Sequence, residues 1–154
     1  MTSIAGLAPS PSRASTSWRK AGIDLQLHKH VLHVWSVDGR GESFCAECSI
    51  ECRWACPPGE VDAALADGLD QLDADWEPEW TPQIGFWGTV AVFHERRLFW
   101  AEEDETTGSV WLRGRVRLAV KVIERFDLRS FPFDVQDMNL LLVVYNAATL
   151  RPLD

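Results

Sequence analysis

Val110-Trp-Leu112-Arg-Gly114-Arg-Val116-Arg-Leu118-Ala-Val120-Lys-Val122-Ile123 decides the reading of this chain. Val110, Leu112, Gly114, Val116, Leu118, Val120 and Val122 share one parity, and Trp111, Arg113, Arg115, Arg117 and Lys121 share the other. Period two is the mark of a half-buried strand. Downstream, Leu140-Leu-Leu-Val-Val144 is continuously apolar, which predicts a strand covered on both faces. Between them runs Glu124-Arg-Phe126-Asp-Leu128-Arg-Ser-Phe131-Pro132-Phe133-Asp134-Val-Gln136-Asp-Met138. Pro132 has no backbone donor and a fixed φ, so this tip cannot continue a ladder and must reverse.

Working upstream, Ile23-Asp-Leu25-Gln-Leu27 opens a first strand, which continues with a change of phase through Val31, Leu32 and Val34. Asp38-Gly39 is a hairpin signal. In the second strand Phe44, Ala46, Cys48, Ile50, Cys52 and Trp54 face one way; Ser43, Cys45, Glu47, Ser49, Glu51 and Arg53 face the other. Pro57-Pro58-Gly59 stops it. Val61, Leu65, Leu69 and Leu72 then recur at helical spacing and predict one short amphipathic helix. Phe86 to Phe93, apolar on both parities, predicts a buried strand. His94-Glu-Arg-Arg97 predicts a turn, and Leu98 to Ala101 a short strand. About six strands and one helix indicate an all-β sandwich or partly closed barrel.

The bulk properties narrow the function. The 154 residues suffice for one domain with a core, and their net charge is −8. An acidic chain is a poor match for a phosphate backbone, so nucleic acid is excluded as a partner. No apolar run reaches the ~18 residues that span a membrane. Residues 1–20, rich in Ser, Pro and Ala, contain no apolar signal-peptide core and are expected to be a disordered leader. From Glu60 to Glu79 there are eight acids and no base. This is either a solvated face or a surface that concentrates cations. The basic row Arg113, Arg115, Arg117 and Lys121 is expected to pair with acids, within the chain or across a subunit contact.

Cys45, Cys48, Cys52 and Cys56 look at first like metal ligands, but strand geometry opposes this. Cys45 and Cys48 point to opposite faces, and Cys48 and Cys52 stand ~13 Å apart at ~3.3 Å per residue. Neither a disulfide nor a tetrahedral zinc site fits that spacing. No metal and no cofactor are expected. Cys56, past the strand end, is the thiol best placed to react. His28 and His30 share a strand face by parity, with His33 on the other; either solvated side chains or a proton-sensing group would fit them. No nucleophile elbow, phosphate loop or His-Glu-x-x-His occurs, so no catalytic set is seen and an enzyme is not expected.

Two segments carry a family resemblance. The signature of the Cys-loop receptors (pentameric ligand-gated ion channels) reads Cys, any, apolar, any, apolar, two of any, Phe or Tyr, Pro, any, Asp, three of any, Cys. Phe126, Leu128, Phe131, Pro132 and Asp134 fill it in register, while Glu124 and Met138 stand where the cysteines would be. The chain thus resembles the bacterial branch, which lacks that disulfide and keeps Phe-Pro-Phe-Asp. Upstream, Trp80, Pro82, Ile84, Phe86 and Trp87 match the family segment Trp-x-Pro-Asp-apolar-x-apolar-aromatic-Asn; Gln83 replaces its Asp and Gly88 its Asn.

The resemblance implies an immunoglobulin-like β-sandwich over residues 21–154, one copy of five in a ring, with a small ligand such as an amine or a proton bound between neighbours. It implies ligand contact by Trp87 and Tyr145, at the family's first two aromatic loops. It implies a gating-coupling role for Phe131, Pro132, Phe133 and Asp134. It places the domain on the extracellular or periplasmic side of a membrane, joined to a transmembrane part not seen in this sequence, so the sandwich is expected to be incomplete. A soluble sandwich that binds a small ligand or sugar through exposed tryptophans is the alternative; a thiol- or metal-dependent enzyme is a third.

Overall fold

The computed structural model describes residues 23–69, 76–126 and 138–153. It is an all-β fold of two open sheets, an incomplete sandwich with one short helix. Seven strands occur among the described residues: β1 (Asp24–Asp38), β2 (Ser43–Ala55), β3 (Ile84–Phe86), β4 (Thr89–Glu103), β5 (Val110–Ile123), β6 (Leu142–Val144) and β7 (Thr149–Pro152). The large sheet runs β4-β5-β2-β1-β7, antiparallel except that β7 lies parallel to β1. β3 and β6 form a small antiparallel sheet. The helix α1 (Val61–Asp67) follows β2.

β2 and β5 are the axis, and their alternation is why. Thirteen Cα pairs join them from Ser43↔Ile123 to Ala55↔Trp111, with no register shift. Phe44, Ala46, Cys48, Ile50, Cys52 and Trp54 are all buried, as are Leu112, Val116, Leu118, Val120 and Val122 opposite. Each fully buried large apolar side chain contributes roughly 1.5–3 kcal/mol, so this register is strongly specified; a slip of one residue would put the arginines inside.

Two apolar clusters form on that inner face. One gathers Ile84 and Phe86 of the small sheet against Phe44, Ile50, Val116 and Leu118. The other packs Trp54 edge-on against Trp80 and Phe99, with ring centroids 5.4 and 6.2 Å away, and closes over Ala64 of α1. At Gly114 the backbone passes so close that a Cβ would stand 2.6 Å from Phe99 Cδ1 and 2.8 Å from Cys52 Sγ.

Several local expectations are corrected. The helix ends at Gly68, whose N–H bonds the Ala64 carbonyl; Leu69 is exposed and Leu72 lies outside the described residues. Gly68 is enclosed by Trp76, and its carbonyl accepts from the Ala101 N–H at 2.6 Å, so the segment turns onto β4 instead of continuing. Phe86 to Phe93 is not one buried strand. Trp87-Gly88 turns the chain from the small sheet into the large one, with Gly88 at φ +76°, where a Cβ would meet the Ile123 carbonyl at 2.8 Å. Val90, Val92 and Phe93 are exposed. His94 to Arg97 is no turn but the middle of β4, an edge strand whose two register shifts and exposed charges blunt it against further pairing. Leu140 to Val144 is covered on one face only: Leu142 and Val144 pack inward, while Leu141 is exposed.

The bulges also re-aim side chains. β1 shifts register between Val31 and His33, so His33 pairs with Glu47 and joins His28 and His30 on the outer face. This corrects the parity reading that set His33 apart. On β4 the shift between Val92 and His94 carries Phe93 to the same side, where its ring lies 6.3 Å from Trp35. Trp35 is paired with Cys45, which is buried although it sits on the outer face.

The three arginines of the basic row pair within the chain. Arg113 meets Glu102 at 2.7 Å, Arg115 meets Glu51 at 2.9 Å and Arg117 meets Glu47 at 2.6 Å. The partners lie on β4 and β2 and not on the acid-rich segment after Pro58.

Candidate ligand-binding site

The small sheet presents two faces, set by its register. Ile84↔Val144 and Phe86↔Leu142 point into the core; Gly85↔Val143 points out. The ladder runs on at both ends, with the Trp87 N–H donating to the Leu141 carbonyl at 2.9 Å and the Tyr145 N–H to the Gln83 carbonyl at 3.0 Å. Trp87 and Tyr145 therefore share the outward face, at opposite ends of the ladder. Both rings are largely free, Trp87 at 72% exposure and Tyr145 at 68%. Of the family-matching residues before Trp87, Trp80, Pro82, Ile84 and Phe86 are buried.

Three residues that the motifs did not mark hold this geometry. Asn146 bridges the chain: its Oδ1 accepts from the Gln83 N–H and its Nδ2 donates to the Thr81 carbonyl, each at 2.8 Å. Gly85 makes room for the Tyr145 ring, whose Cε2 would stand 3.4 Å from a Cβ there. Thr89 Oγ1 donates to the Phe86 carbonyl at 2.8 Å and pins the Trp87-Gly88 turn. Asn146 bonds backbone 63 and 65 residues away, which no local pattern marks, and Gly85 and Thr89 gave no signal either.

The two rings line different cavities. Tyr145 crosses Gly85 to a cavity of about 200 Å³ between the small sheet and β4, walled by Ile84, Phe86, Val92, Leu118 and Val120 and carrying Glu95. Glu95 is held by Arg97 at 2.5 Å. Trp87 lines a wider, more open space of about 540 Å³ with Val90, Ile123, Glu124 and Arg125. Within one chain they do not form a single aromatic box. Each site joins an aromatic face to a carboxylate, an arrangement that attracts an ammonium group.

Phe131, Pro132, Phe133 and Asp134, for which the resemblance implies a coupling role, lie outside the described residues. Glu124 and Met138, at the cysteine positions of the family signature, are described; the Glu124 N–H donates to the Glu42 carbonyl at 2.7 Å.

Three of the thiols, Cys48, Cys52 and Cys56, are poor nucleophiles. Burial pushes Cys48 up and Cys52 up to about 12. Cys56 is half-exposed, yet burial and then the nearby Glu60 push its thiol up to about 11, so it stays protonated at neutral pH. The reactive role expected of Cys56 is not what its surroundings favour. Among the described residues no group of three His, Cys, Asp or Glu side chains could hold a metal ion, and no helix is long and apolar enough to cross a membrane.

No protein-family model matches the chain, and no curated protein matches it in sequence.

Proposed function

We propose that this chain is the ligand-binding β-sandwich of a pentameric ligand-gated ion channel, taking an organic ammonium at the outward face of its small sheet. The observation that carries the reading is the split within residues 80–87. Trp80, Pro82, Ile84 and Phe86 are buried, and Trp87 alone stands out at the strand end. A motif that served packing alone would bury its last aromatic too. Tyr145 lies on the same face and shares its cavity with Glu95. Because the two rings line separate cavities, the box is completed by a neighbouring copy, as a ring of subunits provides. The Phe131 to Asp134 loop couples binding to the membrane part.

Sugar binding through several exposed tryptophans has less support. Trp54, Trp80 and Trp100 are buried, and Trp87 is the most open tryptophan among the described residues.

The test is calorimetric titration of the chain with tetramethylammonium and with primary amines, alongside its sedimentation mass. Amine binding by a pentamer is expected. Trp87→Ala and Tyr145→Ala should each weaken it about tenfold, roughly 1.4 kcal/mol, the scale of one cation–π contact. Both rings are exposed, so folding should survive each change. A persistent monomer, or binding indifferent to both substitutions, would overturn the reading. In a full-length channel Asp134→Ala should spare affinity and impair opening.

A further inference from the structure

Arg53 is the only basic residue of β2, and the register sets Arg113 of β5 directly across from it. Like charges directly opposite on one face repel. Glu102 of β4 answers only one of the two. Arg113 Nε stands 2.7 Å from Glu102 Oε2, an ion pair without the alignment of a hydrogen bond. Arg53 has no carboxylate partner and no hydrogen bond among the described residues, although its Nε is fully buried. Its guanidinium lies over the Trp111 ring, with Cζ 4.1 Å from the centroid. An aromatic face compensates a cation only in part. A half-buried charge is therefore left without a counter-ion.

Beside it, next to the β4–β5 connection, is a cavity of about 190 Å³ lined by Arg53, Trp111 and Arg113 with Glu102, Glu103 and Asp104. Glu103 is exposed and has no partner among the described residues. Asp104 is fixed in place, its Oδ1 accepting from the Thr106 and Thr107 N–H groups at 2.9 and 3.2 Å. Those bonds hold its carboxyl below the ordinary range, so it stays charged. An unused fork of donors and a negative rim set two requirements on an occupant. It must bring a carboxylate to the guanidinium, whose donors lie along its edge and not on the face that Trp111 covers. It must also bring a positive charge to the rim, where a simple anion is repelled. The volume is below the ~300 Å³ at which drug-sized pockets begin, so the occupant is small.

We propose that this cavity binds a small zwitterion of the amino-acid class, with its carboxylate on Arg53 and its ammonium group against Glu103 and Asp104. The site lies on the outer face of the large sheet and does not depend on the aromatic face of the small one.

Calorimetric titration of the full chain with L-alanine, β-alanine, propionate and propylamine tests it. At least one of the two amino acids is expected to bind about tenfold tighter than propionate, which lacks the ammonium group, and to raise Tm by mass action. Arg53→Met keeps the stem over Trp111 and removes the charge; it should weaken that binding about tenfold or more. The charge it removes is uncompensated, so the variant should fold. Arg53→Lys keeps the charge but not the fork and should weaken binding as well. Glu103→Gln should weaken it several-fold. Trp87→Ala separates the two sites: it should weaken the propylamine response and leave the amino-acid affinity unchanged. Amino-acid affinity unchanged in both Arg53→Met and Arg53→Lys overturns the proposal. So does an affinity no tighter than that of propionate, or no binding of either amino acid.

Discussion

The two apolar clusters on the inner face of the large sheet rest on the same strands, yet one is closed and the other is open. Around Trp54, α1 supplies Ala64, the segment before β3 supplies Trp80 and β4 supplies Phe99, each at most 3% exposed. Around Phe44 and Phe86 the floor is equally buried, but the flank is not. Val92, on the same side as the buried Val120, is 55% exposed. Alternation in β2 and β5 therefore fixes which side chains point inward. It does not fix which of the inward positions are covered. The closed end is where stability is concentrated, and the open flank is where the aromatic face and its cavities lie.

Substitution at the closed end should show the largest effect. Trp54→Ala should cost about 3–5 kcal/mol in a denaturant titration, since the cavity is walled by rigid rings. Val92→Ala on the open flank should cost less than about 1 kcal/mol; equal losses at the two positions would break the contrast. Gly114→Ala comes next, at about 1–3 kcal/mol, because the new methyl meets Phe99 and Cys52. A Phe99→Leu background should recover part of that loss if the crowding is real.

Alkaline pH gives a smaller effect at the same end. The Cys52 thiol is raised above its unfolded value of 9.0 to about 12, first by burial. Its contribution is fully present below pH 9 and is lost as pH rises toward 12, because the unfolded thiol ionises first. The urea midpoint of the wild type should therefore fall from pH 9 upward by more than that of Cys52→Ala. The smallest effect belongs to the outer face. The Arg117 hydrogen bond holds the Glu47 carboxyl below its ordinary range, so its contribution is present above the unfolded pKa and fades as pH falls through the lower folded one. Glu47→Gln should flatten the acid limb slightly and leave neutral stability nearly unchanged.

How much was legible follows from these residues. The inward sets of β2 and β5 could be read directly, because each strand keeps one phase over its whole length. β1 carried its phase change in the sequence, from Leu25 and Leu27 to Val34. Parity counting across it nevertheless misplaced His33, since a bulge adds one residue and reverses every assignment beyond it. β4 was split in the reading because His94 to Arg97 is charged. Charge there serves an edge and not a turn. In the site, the resemblance singled out Trp87, but Phe86 to Phe93 reads as a buried strand, so its exposure was not legible from local pattern. Asn146 acts through backbone partners 63 and 65 residues away and Gly85 through the Tyr145 ring, which no local pattern reveals.

Sequence alone determined the alternating strands, the all-β class and the two motif segments, because period-two patterning and proline act on neighbouring residues. Tertiary structure alone decided which apolar positions stay uncovered, which aromatics share a face and which histidines stand side by side. Those depend on register between strands far apart in the chain, where one added residue turns a side chain from core to surface.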